Sequence, residues 1–306
     1  MEWRSVRKEA FGTIMKTDIV CEIVHTDADD TRALICLEEV FGMFRDFGQR
    51  YSRFVADNEL WQMNMSESIA VSEELFDMLR RSKGYYERTG GLFDPSILPV
   101  MEASGYTGAY GGYVTETKDD FSQVMLDAAT RTVTKPKGLM IDLGGIGKGF
   151  AIDKAVRFLS EHFENFMVDA GGDIAVRGVN AKEGYPYWAI DIEHPQRADE
   201  SVALLLLRDA AVATSGRNRR HWTHQGRERH HIIDPSTRES AASDLLSVTV
   251  IAPHATKADV FAKTLFIAGK KKGMAMSEIL NIPAVFVDKD GIATHNHYME
   301  TYVWKP

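Results

Sequence analysis

One segment, Met140-Ile-Asp-Leu-Gly-Gly-Ile-Gly-Lys-Gly-Phe-Ala-Ile-Asp-Lys-Ala-Val156, restricts what this chain can fold into more than any other. The apolar run from Leu139 to Leu143 reads as a short strand that stops at Gly144 and Gly145. Beyond the bend, Phe150, Ile152, Val156 and Leu159 recur at helical spacing. Glycines at 144, 145, 147 and 149 remove Cβ atoms where that helix begins. A ligand can therefore approach the backbone closely, and the first helical N–H groups stay free for an anion. Lys148 adds a point charge. A tight turn with no ligand is the plainer reading; the glycines and the lysine together favour a phosphate site. The segment is neither a P-loop, since no Ser or Thr follows Lys148, nor a G-x-G-x-x-G fingerprint.

Composition narrows the partners more than the fold. With 306 residues, 44% hydrophobic and 26% charged, the chain suits one large or two moderate globular domains. A net charge of −8 argues against general binding to nucleic acid or anionic membrane. Cys21 and Cys36 offer no disulfide framework and no zinc site, and fit a reducing compartment. The first residues contain no apolar h-region, and the longest aliphatic run, Val202 to Leu207, is too short to span a bilayer. The expectation is a cytoplasmic protein with no membrane partner.

Taken in order, Phe11 to His25 reads as a strand, followed by a helix capped by Asp29 or Asp30 with Leu34, Leu37, Phe41, Phe44 and Phe47 on one face. Arg50 to Asn64 has no clean period and reads as loop. Ser72 caps a second helix, with Glu73 and Glu74 in its first turn and Leu75, Phe76, Leu79 and Tyr86 buried. Gly105 to Tyr113 is the best linker candidate. Val124 to Leu126 and Arg131 to Thr134 read as paired strands. Further strands are expected at Asn165 to Val168, Tyr187 to Ile192, Val202 to Leu207, Ala211 to Ala213 and Leu246 to Ala252. A helix over Thr256 to Ala268, a short helix, a strand at Ala284 to Val287 and an Asp290-Gly291 hairpin complete the chain. Helices and strands mix without strict alternation, which favours α+β.

Three further clusters carry candidate chemistry. Asp169-Ala-Gly-Gly-Asp173 sets two carboxylates around a glycine pair; alone it reads as a strand–turn. Thr214-Ser215-Gly216 leads into a basic block with Arg217, Arg219, Arg220, His221, His224, Arg227, Arg229, His230 and His231. In an acidic chain this reversal of sign suits an anion, because guanidinium forks match phosphate. A solvated loop ranks second, and zinc on His221-x-x-His224 a distant third. Asp259 and Lys263 stand at i and i+4, which alone reads as a surface ion pair.

Read together, these blocks resemble the FAD:protein FMN transferase (ApbE-type) family. The match begins at Phe11-Gly-Thr-Ile-Met15 and includes Thr89-Gly-Gly-Leu-Phe-Asp-Pro95, Asp142 to Gly149 with Asp153, and Asp169 to Asp173. It continues through Ala213-Thr-Ser-Gly216, His230-His-Ile-Ile-Asp-Pro235 with Thr237, and Ser247-Val-Thr-Val250 followed by Ala258-Asp259. Each block is weak alone; their order along most of the chain is specific.

The resemblance implies an α+β fold of mixed, largely antiparallel sheets with packed helices. It implies a single domain over 1–306, with lobes at about 1–113 and 114–306 and FAD in a cleft between them. The implied reaction moves FMN from FAD to a threonine hydroxyl of a target protein as a phosphoester, releasing AMP. Hydrolysis of FAD to FMN and AMP, and FAD binding without catalysis, are the alternatives. The implied cation is Mg²⁺. Carried over block by block, His231 and Asp259 are catalytic candidates, and Gly147 and Asp259 are metal-site candidates; Lys263, at a departure from the family pattern, is a third catalytic candidate on its position beside Asp259. FAD is expected at Met15, Asp94, Gly144, Gly145, Lys148, Gly171, Gly172, Asp173, Ser215, Gly216, His231, Asp234 and Thr237. Three departures stand out. Lys263 replaces the family's threonine four residues after the metal aspartate. Arg238 replaces the glycine of D-P-x-T-G. Neither the signal nor the lipobox of exported members is seen.

Overall fold

The computed structural model describes residues 2–110, 119–217 and 221–305. Residues 111–113 of the expected linker, and Arg219 and Arg220 of the basic block, lie outside them. The α-helices among the described residues are α1 (Thr31–Tyr51), α2 (Glu59–Met65), α3 (Glu73–Arg88), α4 (Leu98–Ala103), α5 (Gly147–Ser160) and α6 (Ala255–Ile279). None of them is long and apolar enough to cross a membrane. The chain forms two compact units, each discontinuous in sequence. One takes Met1–Phe47, Lys148–Gly216 and Asp244–Pro306; the other takes Gly48–Gly147 and Arg217–Ser243.

The first unit is built on an eight-stranded antiparallel sheet. Its strands are β1 (Arg4–Ile14), β2 (Thr17–His25), β3 (Asn165–Ala170), β4 (Asp173–Arg177), β5 (Ala210–Gly216), β6 (Leu245–Ala252), β7 (Ala284–Asp288) and β8 (Ala293–His295). They lie side by side in the order in which the chain makes them. The single strand expected over Phe11 to His25 is in fact the end of β1 and all of β2. Met15 and Lys16 between them have φ of 52° and 53°, the backbone of a two-residue turn whose twist suits a hairpin.

Strand alternation gives this sheet two faces. On one, Val24, Val176, Val212, Ile251 and Val285 pack under a two-stranded sheet through Trp188, Ile190, Ile192, Leu205 and Leu207. The other face carries Asp173, Ala175, Ala211, Ala213, Ser215, Val248 and Phe286, and α6 packs there. A Cβ on Gly273 of α6 would stand 3.1 Å from the Phe286 ring. Helix α1 starts where Asp29 Oδ1 accepts from the Thr31 amide at 2.9 Å. It buries Leu37, Phe41, Phe44 and Phe47, but Leu34 is 52% exposed. Ala33, Cys36 and Val40 extend the buried stripe on the side away from Leu34. The separate short helix expected after Ala268 is a continuation of α6 past a kink at Gly269, φ +75°. There Asp244 Oδ1 accepts from the Lys270 amide at 2.9 Å.

In the second unit, Thr132–Thr134 pairs with both Met125–Asp127 and Ser68–Ala70, so the expected short pair forms and gains a neighbour. Ser72 caps α3 by accepting from the Leu75 amide at 3.2 Å. Leu75, Phe76 and Leu79 are buried, and Tyr86 is half-buried. The segment read as loop, Arg50 to Asn64, contains most of α2, capped by Asn58 through the Trp61 amide. The run Leu139 to Leu143 is buried but is not a strand. Its central backbone groups are satisfied by the Asn64 side chain and the Pro95 carbonyl. Ile141 N donates to Asn64 Oδ1 at 2.8 Å, Asn64 Nδ2 donates to Ile141 O at 2.9 Å, and Asp142 N donates to Pro95 O at 2.8 Å. Apolar burial without a ladder partner explains why the pattern looked like a strand.

Lys135 is buried beside this run and donates to Asn64 O at 2.9 Å and Leu139 O at 2.7 Å. Burial lowers its pKa from 10.5 to about 8, with Glu67 opposing the shift. The unfolded chain therefore holds a proton that the folded chain releases between pH 8 and 10.5, so this group adds stability as pH rises through that window. Against a Lys135→Met variant, wild type is expected to gain up to ~3 kcal/mol across the window. Denaturant unfolding of both proteins at the two ends of the window measures it. A wild type that gains nothing on the variant across the window, or loses ground to it, contradicts the assignment.

Candidate active site

In the first unit, one end of the sheet gathers several of the expected residues. The Met15–Lys16 turn enters β2 beside the end of β3, where Gly171 N donates to Asp18 O at 2.8 Å. Gly171 and Gly172, with φ of 69° and 86°, make the turn from β3 to β4. A side chain at Gly171 would collide with Thr17, so the close approach and the positive φ both demand glycine. Asp169 Oδ1 accepts from the Gly172 amide at 2.7 Å. Asp173 opens β4 with 2% exposure, and the ammonium of Lys148 is paired to its Oδ2. Ser215 and Gly216, which end β5, belong to the same sheet end by register. They are strand residues, not a loop after a strand at Ala211 to Ala213. The alternation that buries Val212 on one face puts Asp173 and Ser215 on the helix-covered face. A cation, glycine turns and a hydroxyl at one sheet end suit a phosphate.

The helices over that face are locked together at their first turns. Cβ on Gly149 of α5 would lie 2.6 Å from Ala255 O and from Thr256 Cα of α6. Asp153 completes the lock. Its carboxylate accepts from Ala255 N at 2.7 Å, Thr256 N at 3.1 Å and Thr256 Oγ1 at 2.5 Å. His254, the residue in the cap position, makes no side-chain cap bond, so α6 takes its N-terminal cap from α5. Sequence reasoning placed Asp153 in the glycine block without this role, since no local spacing links residues about a hundred positions apart.

One turn into α6, Asp259 is 1% exposed. Lys263 Nζ is paired to its Oδ1, and the Lys263 side chain is 16% exposed. Asp259 Oδ2 is buried with no hydrogen-bond partner among the described residues. The surface ion pair suggested by i, i+4 spacing is therefore a buried one. As the side chains stand, they do not fit a Mg²⁺ ion at this carboxylate. An ion on Oδ2 at its usual ~2.1 Å would lie on the order of 4–5 Å from the ammonium. A divalent and a monovalent cation at that separation repel by roughly 7–8 kcal/mol at an effective dielectric of about 20. Among the described residues no three His, Cys, Asp or Glu side chains gather to hold a metal, the His221 and His224 pair included.

The second unit positions the rest. Asp94 caps a 3₁₀ turn at Pro95–Ile97 and accepts from Ser96 N at 2.7 Å and Ser96 Oγ at 2.6 Å. Burial pushes its carboxyl pKa up, against the Ser96 hydrogen bonds. Gly144 N donates to Asp142 Oδ1 at 2.7 Å, and Asp142 Oδ2 is held by Arg53 Nε at 3.3 Å. Arg53 also pairs with Glu102, and all three side chains are buried. This network fixes the bend at Gly144 and Gly145, and Arg53 was not singled out because it lies in the segment read as loop. Gly147 N donates to Leu143 O at 2.6 Å as the helix begins.

Residues 221–230 of the basic block form a hairpin, His221–His224 against Arg227–His230. Trp222 stacks on Tyr106 at 4.9 Å and donates to Ser104 O at 2.8 Å. His230 donates a ring N–H to Ala241 O at 3.1 Å, and burial lowers its pKa. His231 follows, half-buried. Asp234 Oδ1 accepts from Ser236 N at 2.9 Å and Ser236 Oγ at 2.6 Å, and Thr237 is exposed beside it. Arg238, at the departure from D-P-x-T-G, takes φ of +57°. That backbone is one a glycine adopts freely, so the turn is kept with the larger residue in it.

Comparison with known proteins shows the family and the fold. A model of the ApbE family matches residues 11–286. An FAD:protein FMN transferase of Treponema pallidum is 32% identical over 279 residues, covering 83% of this chain and 77% of that protein. Another from Vibrio cholerae is 29% identical, covering 82% and 78%. Among solved structures, an ApbE protein from Thermotoga maritima superimposes with a TM-score of 0.86 at 26% identity, covering 99% of this chain and 100% of that one. A flavin transferase ApbE from Vibrio cholerae gives 0.82 at 25% identity, covering 98% and 100%.

Proposed function

The chain belongs to the ApbE family, and from that membership we propose that it transfers FMN from FAD to a threonine of a target protein. The acceptor hydroxyl oxygen attacks the FMN-side phosphorus of FAD. A phosphoester forms, the pyrophosphate P–O bond breaks, and AMP leaves with the bridging oxygen. Such a transfer depends on placing the pyrophosphate and meeting its charge, more than on a covalent nucleophile. The observation that carries the reading is the sheet end where Lys148, the Gly171–Gly172 turn and Ser215–Gly216 gather. Lys148, fixed by Asp173, supplies an ammonium to the phosphates, and glycine turns let the backbone come close. Asp94 and its turn, with Asp234 and Thr237, are assigned to holding FAD by their family blocks. Mg²⁺ is the family's implied cation, at Asp259 and Gly147; no step is assigned to it here, because Lys263 already stands on that carboxylate. We place the acceptor in the cytoplasm, on the support of two thiols, Cys21 and Cys36, that are buried and unlinked.

His231 is the proposed proton carrier, taking the acceptor's proton or returning one to the leaving AMP. An imidazole with an ordinary pKa of about 6.5 can do either near neutral pH. His231→Ala is expected to slow turnover by roughly 10²–10⁴-fold. Unchanged turnover removes His231 from the reaction. The overall test incubates the protein with FAD and a candidate acceptor and reads both by mass spectrometry. Covalent FMN on an acceptor threonine, with AMP, is the expected result. Free FMN with AMP makes the protein an FAD hydrolase, and unchanged FAD reduces it to a binding protein.

A further inference from the structure

We propose that Lys263 is the built-in cation of this site, holding the place at Asp259 that a divalent ion would otherwise fill and offering its ammonium to the phosphates of the flavin nucleotide. The proposal rests on the reading of the chain as an FAD-using transferase. Asp259 is 1% exposed, and a carboxylate buried that deeply needs a positive partner or must give up its charge. The chain supplies that partner from the next turn of α6, through the pair between Lys263 Nζ and Asp259 Oδ1. A surface i, i+4 pair would leave both groups wet; here the carboxylate is dry and only the lysine reaches outward, with 16% of its side chain exposed. An ammonium has three donors, and the pairing with Asp259 uses one of them. The others suit phosphate oxygens, which an ammonium contacts as a point charge.

Position supports the same reading. Asp259 lies one turn after Ala255 and Thr256, the residues that Gly149 of α5 touches. Lys148, next to Gly149, is paired to Asp173. The first unit thus carries two ammoniums, each anchored on a carboxylate of at most 2% exposure, on helices interlocked at their first turns. Anchoring of this kind removes rotamer freedom before the ligand arrives, which is the way a tethered cation replaces a free one. A lysine also carries half the charge of Mg²⁺ and imposes no octahedral shell.

The test uses flavin-free protein in two media, EDTA and millimolar Mg²⁺, with two readouts: FAD affinity by calorimetry and thermal unfolding without FAD. Wild type is expected to bind FAD equally in both media, within about twofold, with no shift in Tm from Mg²⁺. Lys263→Arg keeps the charge and should behave likewise. Lys263→Thr removes the ammonium; its FAD affinity should fall at least about tenfold in EDTA and recover in Mg²⁺, and its FAD-free Tm should rise with Mg²⁺ as the ion reaches Asp259. A wild-type affinity that rises about tenfold or more with Mg²⁺ overturns the proposal. So does a Lys263→Thr protein that binds FAD in EDTA as wild type does. Failure of wild type to bind FAD in either medium overturns the functional reading instead. The FAD-free unfolding then still decides the cation: a Tm raised by Mg²⁺ in Lys263→Thr but not in wild type upholds Lys263 as its occupant, and a rise in wild type refutes it.

Discussion

Replacing Lys148 by methionine is expected to lower stability by about 3–5 kcal/mol, the usual cost of leaving one member of a buried ion pair uncompensated. The member left behind is Asp173, 2% exposed at the start of β4. FAD affinity should fall as well, by roughly 10–100-fold, because a hydrogen bond to a charged group contributes about 1.5–3 kcal/mol. A second substitution separates the two effects. In Lys148→Met with Asp173→Asn the buried charge is gone, so most of the stability should return while FAD affinity stays low. Denaturant unfolding reads the first quantity and calorimetry the second. If the double variant regains FAD affinity, Lys148 serves the fold and does not touch the nucleotide.

Gly149→Ala should produce the other large effect, against what local propensity suggests. Alanine inside a helix is favoured over glycine by about 1 kcal/mol. Here the new Cβ would meet Ala255 O and Thr256 Cα at 2.6 Å, and backbone cannot swing aside as a side chain does. Overpacking of that kind costs about 1–3 kcal/mol and sometimes more. The clash also pushes α6 away from Asp153, whose three hydrogen bonds cap it, and a lost cap costs about 1 kcal/mol further. The net expectation is a loss of about 1–3 kcal/mol, or roughly 2–12 °C in Tm at the 2–4 °C per kcal/mol of a domain of about 150–250 residues. Gly84→Ala is the control. Gly84 lies inside α3 with nothing within 4 Å of its Cβ position, so the same change should stabilise by up to about 1 kcal/mol. A Gly149→Ala protein as stable as wild type would show that the two helices are free to part.

Whatever acts over a few residues was legible in the chain itself. Ser72 before Glu73 and Glu74 marked the start of α3, the Asp290-Gly291 pair marked a hairpin, and the glycine block marked the start of α5. These follow from capping, positive φ and helical period, each set by neighbours in sequence. The ordered blocks that identify the family are local strings too. What depended on burial or on distant partners was not legible. Leu139 to Leu143 has the composition of a strand, but Asn64 and Pro95 take its hydrogen bonds. Asp153 reads as one more polar residue on α5 until α6 arrives to be capped by it. The interleaving of two units along the chain leaves no local trace, since contacts between segments a hundred residues apart have no period. Asp259 and Lys263 make the case most sharply. Spacing alone makes them a surface pair of little consequence. Packing of α6 against the sheet takes the carboxylate out of water, and desolvation turns the same two residues into a charge that must be matched, by the lysine or by a metal.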